Sequence, residues 1–319
     1  MKRLFLWLLL VAAFAGSCTQ KTSEIRFIVA SDMGRIGESE QKAIAELMGR
    51  FAQDNRIDFM AIAGDPIHHV GVIGVEDTVW NERIEDIYTA PSLHAIPWYV
   101  VLGNHEYQGC VQAIIDYSKV SERWNAPERY FTMTQRIGRK NNILFVFIDT
   151  TPLIEKYRQL DHEEHIYSDA SEQSIERQIN WLDSVLLGSN DRWKIVVGHH
   201  PVYAKTTKEA HERTDMQKRV GALFEKHGVD FYICGHIHNF QHIHRTGSKV
   251  HYVVNSSASQ SRPVYEIDEV EGMIFGNPDP GFSVFTVLDN SVRFLFVNHT
   301  GETVYEHTVL RARDRQWLP

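Results

Sequence analysis

Three features of this chain predict an α/β fold. Strand-like and helix-like patterns alternate up to about residue 250, the pattern turns all-β beyond it, and five short polar segments each follow an apolar, strand-like run. The ordered pattern begins with a strand at Ile25 to Ala30, a helix over about Ser39 to Asn55 and a strand at Phe59 to Ala63. The helix carries Ala43, Ile44, Leu47, Met48 and Phe51 on one face, the spacing of a half-buried helix. A strand at Ile143 to Ile148 ends at Asp149, which has no comparable polar motif around it and reads as a structural turn residue. A helix over Ser171 to Leu187 buries Ile175, Ile179, Leu182 and Leu186, with Asp169 and Glu172 as a capping pair and Gly188 at its end. Strands at Val250 to Asn255, Phe282 to Leu288, Ser291 to Val297 and Val304 to Leu310 follow, with Asp289 and Asn290 as a hairpin turn. No internal repeat, low-complexity tract or second domain is visible.

The chain has 319 residues, 43% of them hydrophobic and 23% charged, enough to bury a sizeable core as one domain. A net charge of −8 and the lack of a basic stripe with interleaved aromatics argue against a nucleic-acid partner. Cys110 and Cys234 lie close to the polar motifs; the favoured reading is two small buried thiols rather than a disulfide.

The polar segments are SDMG at Asp32, GDPIH at Asp65, GNHE at Asn104, VGHH at His199 and CGHIH at His236. They follow IRFIVA, FMAIA, WYVVL, WKIVV and FYI, so each places polar side chains past a strand's carboxyl end, where open α/β sheets keep their chemistry. Carboxylates, imidazoles and an amide oxygen together suit Fe, Zn or Mn better than Mg or Ca. His236 and His238 are two apart and would project to one side of an extended segment. Pro66 suits the first position of a helical turn, which would bring His68 round beside Asp65. One Gly-Asp or Gly-His pair after a strand is ordinary turn chemistry. Five in order read as the ligand set of one two-metal centre.

The order Asp, Gly-Asp, Gly-Asn-His-Glu, Gly-His, Gly-His-x-His resembles that of the calcineurin-like metallophosphoesterases. Within them, HAIPWYVVLGNHE, IDYSKVSERWNAP and FYICGHIHNFQHI are similar to stretches of the small purple acid phosphatases, the tartrate-resistant type, and the likeness runs over essentially the whole chain after residue 24. The resemblance implies an αββα sandwich of two packed mixed sheets flanked by helices, with the metals at the sheet ends. It implies a metal-dependent acid phosphatase acting on small phosphate monoesters. Carried over by motif, it gives the first metal Asp32, His238 and the residue at 68, gives the second Asn104, His199 and His236, and makes Asp65 the bridge. A loop at a similar place to Lys156 to Ser171, which holds His162 and His165, overhangs the active site in that family. A solvated loop is the favoured reading here.

One position departs from the family. Pro66-Ile67-His68 stands where the purple enzymes have Asn-Phe-Tyr, and the tyrosine phenolate on ferric iron is what colours them. The wider superfamily fills this coordination position with a histidine two residues after the first Asp, where this chain has Gly34, so His68 restores an imidazole from the other segment. The metals are left as Fe, Zn or Mn.

Two ions about 3.5 to 4 Å apart can clamp a phosphate, neutralise its charge and hold a hydroxide formed from water. His105, between Asn104 and Glu106, is the candidate proton donor to the leaving group, with Glu106 placed to orient its ring. The alternative for His105 is a structural role. His200 and His211 receive no assignment. The rival activity is a phosphodiesterase or nucleotide hydrolase on the same centre. A surface lipoprotein with an idle metal site is the rival from another class, disfavoured because none of the seven ligand positions is empty.

The N-terminus reads as an export signal: Lys2 and Arg3, the apolar run Leu4 to Phe14, then Ala15, Gly16 and Ser17 before Cys18. The run is too short for a spanning helix. Cys18 after small residues resembles the bacterial lipoprotein signal, in which that cysteine is lipidated and becomes the mature N-terminus. An ordinary cleaved signal or a retained anchor are the alternatives. Thr19 instead of aspartate is the pattern linked to outer-membrane sorting, so the expected place is the cell envelope, held to the membrane by lipid. The organisation expected is a signal peptide at 1–17, a tether at 18–24 and a metallophosphoesterase domain at 25–319.

Overall fold

The computed structural model describes residues 24–138, 140–159, 167–264 and 269–311. The signal segment 1–17, Cys18, His162 and His165 lie outside the described residues. In chain order the strands are β1 (Ile25–Ala30), β2 (Phe59–Ile62), β3 (Trp98–Val100), β4 (Trp124–Asn125), β5 (Phe131–Ile137), β6 (Asn141–Phe147) and β7 (Trp193–Val197). They continue with β8 (Phe231–Cys234), β9 (Phe240–Ile243), β10 (His251–Val254), β11 (Met273–Asn277), β12 (Gly281–Val287), β13 (Ser291–Asn298) and β14 (Thr303–Leu310). They form two seven-stranded mixed sheets, ordered β14-β13-β12-β1-β2-β3-β4 and β11-β9-β10-β8-β7-β6-β5.

The period of two along β1 builds the layers. Ile25, Phe27 and Val29 point into the space between the sheets, while Ile28 and Ala30 point out to the covering helices. The inner layer is rich in phenylalanine. Phe27 stacks on Phe59 at 4.8 Å and on Phe285 at 5.0 Å, and meets Phe145 of the other sheet edge-on at 5.3 Å. β1, β2 and β3 run parallel, as do β6, β7 and β8, so their carboxyl ends gather at one end of the sandwich. All five polar segments leave from there.

Several expected elements shift. The first helix spans Gln41–Asp54 and buries Ile44, Ala45 and Met48, with Ala43 exposed. The second long helix is Ile175–Gly188, and its cap is Ser174, whose side chain accepts a hydrogen bond from the Arg177 amide. Asp169, expected as part of that cap, pairs instead with Arg129 at 2.7 Å. β5 forms a hairpin with β6 that the sequence reading does not contain. Cys110 and Cys234 are free thiols. No helix among the described residues is long and apolar enough to cross a membrane.

Candidate metal centre

Four of the residues after the strands adopt a backbone that L side chains rarely use: Asp32 (φ 53°), Asp65 (φ 48°), His236 (φ 69°) and His238 (φ 62°). Such conformations persist where the surroundings enforce them, and they cluster at functional sites. The glycines in the motifs make room. A Cβ on Gly64 would lie 2.3 Å from the His199 ring, and one on Gly103 would lie 2.1 Å from Asp65 Oδ1. The Gly-Asp and Gly-Asn pairs therefore let the side chains of different segments meet.

Asp32, His68 and His238 bring one ligand atom each within 4.8 Å of the others, and so do Asp32, Asp65 and His199. His238 hydrogen-bonds through Nδ1 to the Gln260 carbonyl at 2.7 Å, which leaves Nε2 3.1 Å from Asp32 Oδ1. His199 likewise donates Nδ1–H to the Ala63 carbonyl at 2.9 Å and turns Nε2 to Asp65 Oδ2 at 3.0 Å. His68 lies 3.7 Å from Asp65 Oδ2, with both ring nitrogens buried and without a hydrogen bond. Asn104 Oδ1 and Asp32 Oδ1 are also buried without one. Acceptors left this way are costly unless a cation meets them. With carboxylate, imidazole and amide donors and no thiolate, the set fits Fe, Zn or Mn.

The charges agree. Burial works against the Asp32 and Asp65 carboxylates, yet His238 beside the first, and His199 and His105 beside the second, hold both well below the usual range. Burial pushes the His199 ring down, but Asp65 outweighs it and raises the ring to about 9. The site favours positive charge at these atoms.

Two local expectations are corrected. Pro66 does not start a helical turn: Ile67 bridges Gly34, and His68 N–H donates to the Gly34 carbonyl at 2.9 Å, so it is a short parallel bridge that carries His68 to Asp65. His236 and His238 are not in an extended segment. Both are left-handed, and their rings reach different partners, His199 and Asp32.

His105 sits at the rim, its side chain 24% exposed and Nε2 3.8 Å from Asp65 Oδ2. Its Nδ1 meets the His69 carbonyl, and its ring lies 4.2 Å from that of His68. Glu106 does not orient it. That carboxylate accepts from the backbone amides of Gly103 (2.7 Å), Asp65 (3.2 Å) and Ile67 (3.3 Å), and burial together with Asp65 pushes it up to about 8. It ties the GDPIH and GNHE loops together.

Sequence reasoning missed Lys208 and Glu212. His236 turns Nδ1 to His199 Nε2 at 3.2 Å and Nε2 to Glu212 Oε2 at 3.1 Å. Glu212 is itself held by Lys156 (3.2 Å) and Tyr157 (3.1 Å), the arrangement that orients a ligating histidine from behind. Lys208 Nζ lies 2.9 Å from His236 Nε2, and burial pushes it down to about 8. Nothing in AKTTKEAHERT marks either residue. His211, half exposed, pairs with Glu209 and stays away. His200 does reach the cluster, its ligand atom within 4.8 Å of those of His199 and His236.

Two mixed sheets with this cluster at their carboxyl ends define a metal-dependent phosphoric ester hydrolase, and the chain belongs to the calcineurin-like phosphoesterase family, whose profile matches residues 25–240. Within that family it is similar to purple acid phosphatase 4 of Arabidopsis thaliana, 30% identical over 296 residues that cover 91% of this chain and 85% of that protein. It is also similar to tartrate-resistant acid phosphatase type 5 of Rattus norvegicus, 26% identical over 320 residues, 95% of each chain. In fold it resembles GAP50, the anchor in the inner membrane complex of Plasmodium, with a TM-score of 0.76 at 22% identity over 92% of this chain and 90% of that one. It likewise resembles the purple acid phosphatase PPD1 from yellow lupin seeds, with a TM-score of 0.62 at 15% identity over 91% of this chain and 54% of that one.

Proposed function

We propose that the protein is a phosphomonoesterase of the acid phosphatase type. Asp32, His68 and His238 would hold a first metal, Asn104, His199 and His236 would hold a second, and Asp65 would be shared by both. The observation that carries this reading is the convergence of the Asp32, Asp65, His68, His199 and His238 ligand atoms, with the Nε2 atoms of His199 and His238 turned to the two carboxylates and buried acceptors on Asp32, His68 and Asn104 left without hydrogen bonds. When bound, the ions supply charge for the phosphate and a nucleophile from water near neutral pH. His105 donates a proton from Nε2 to the departing alkoxide, held in place by the His69 carbonyl. Lys208 adds a positive charge on the His236 side, and Glu212 fixes the His236 ring. A screen of p-nitrophenyl phosphate against bis-p-nitrophenyl phosphate, with metal analysis of the purified protein, tests the reading. Faster turnover of the monoester is expected; equal or faster turnover of the diester contradicts it.

The residue at 68 gives a spectroscopic test. A phenolate on ferric iron absorbs visible light and an imidazole has no comparable band, so the iron-loaded wild type is expected to lack the purple colour. His68→Tyr is expected to gain it. A purple wild type, or an iron-replete His68→Tyr without the band, removes His68 from the ligand set.

We also propose that Cys18 is lipidated and anchors the protein in the cell envelope, on the strength of Ala15-Gly16-Ser17-Cys18 after a short apolar run. Wild type is then recovered with membranes and labels with fatty acid, whereas Cys18→Ala does not label. Unlabelled, freely soluble wild type refutes it.

A further inference from the structure

A second group of histidines lies at the opposite end of the sandwich. β8 and β10 are parallel, and the CGHIH motif leaves the carboxyl end of β8, whereas His251 opens β10 level with Phe231, the first residue of β8. Near it are His242, on β9 of the same sheet, and His307, on β14 of the other sheet. These three rings offer ligand atoms that all lie within 4.8 Å of one another. His242 Nε2 is 3.0 Å from His251 Nδ1, and the His307 ring is 4.7 Å from that of His242 and 5.7 Å from that of His251.

We propose that His242, His251 and His307 bind one divalent transition-metal ion, of the zinc, copper, nickel or cobalt kind, separate from the catalytic pair. Three imidazoles with neither carboxylate nor thiolate among them suit those ions and not magnesium or calcium. Tetrahedral zinc with bonds of 2.0–2.1 Å spaces its nitrogens about 3.3 Å apart. The His242–His251 pair already has nearly that spacing. His307 is half-buried on an edge strand, and its ligand atom, already within 4.8 Å of the other two, closes the set by a small side-chain shift. The outer contacts of a ligand set are present as well: the Tyr305 hydroxyl meets His242 Nδ1 at 2.8 Å, which leaves Nε2 for the ion, and His244, fixed by the Ser248 carbonyl, stacks on His251 at 4.1 Å. A cleft of about 630 Å³, walled in part by His244, Lys249, His251 and Arg311, reaches the His251 side of the group. Because His307 belongs to one sheet and His242 and His251 to the other, the ion ties the two sheets together where the edge strand β14 is otherwise held on one side only.

The rival is a dry core in which His251 and His242 share an N–H···N hydrogen bond and bind nothing. Full-length protein, made without a polyhistidine tag, stripped with chelator and equilibrated with Co²⁺, separates the two. His307→Ala is expected to bind one ion per chain fewer than wild type, to lose the matching part of the visible cobalt spectrum and to keep its turnover on p-nitrophenyl phosphate. Equal cobalt content in wild type and variant overturns the proposal. Should His307→Ala lose turnover through misfolding, His307→Gln, which keeps length and polarity, is read by the same criterion. The difference of one ion does not depend on how many ions the catalytic centre holds, so the failure of one assignment is distinguishable from the failure of the other.

Discussion

Asp65→Ala is expected to lose phosphatase turnover by roughly 10³-fold or more, since the charge stabilisation supplied by a two-metal site amounts to several kcal/mol and each 1.36 kcal/mol is tenfold in rate. The reason lies in how many partners meet this one carboxylate. Its oxygens lie 3.0 Å from His199 Nε2, 3.7 Å from His68 and 3.8 Å from His105, and one of them accepts the His105 amide at 2.9 Å. Removing the group leaves the cations it would bridge with no shared anion. Metal content should fall with activity, and the two are measured on the same preparation. Wild-type turnover in Asp65→Ala would sink the dinuclear assignment.

His105→Ala should behave differently. Its ring is at the rim, 24% exposed, and is given no place among the seven ligands, so the variant is expected to retain its metals. Alkyl phosphates, whose leaving groups need a proton, should be hydrolysed about 10²-fold more slowly. Activated aryl phosphates should lose less, because their leaving groups depart without help. Comparing the two substrate types on one variant isolates proton donation from any general damage: equal losses on both would remove the acid role.

The parts of the fold carried by local pattern were legible in the sequence. IRFIVA, WKIVV and FYI are β-branched or aromatic runs long enough to be strands and too short to be helices, and the motifs that follow them do lie at the strand ends. β5 was not legible, because FTMTQRI is one exposed-edge hairpin arm whose alternation is mostly polar. Boundaries also moved where tertiary contacts took over a residue, as when Arg129 claimed Asp169 from its expected cap. At the site, residue types announced themselves and geometry did not. Asp, His and Asn after a strand can be read directly, but the left-handed turn at His236 and His238 depends on Asp32, whose Oδ2 accepts the His236 amide at 3.0 Å from 204 residues away. Glu106 carried no sign that its carboxylate would be spent on backbone amides. Lys208 and Glu212 were invisible for a similar reason: Glu212 is on the helix Ala210–Met216 and Lys208 in the bend before it, and only the packed structure brings them against His236.

The central claim is that one carboxylate joins two metals, with His68 on the first. Anomalous scattering from crystals of the metal-loaded protein, recorded at the absorption edge of the ion it contains, addresses it directly. At the carboxyl ends of the parallel strands two peaks about 3.5–4 Å apart are expected, with Asp65 between them, Asp32, His68 and His238 around one, and Asn104, His199 and His236 around the other. A single peak, or a pair that Asp65 does not touch, would contradict the account.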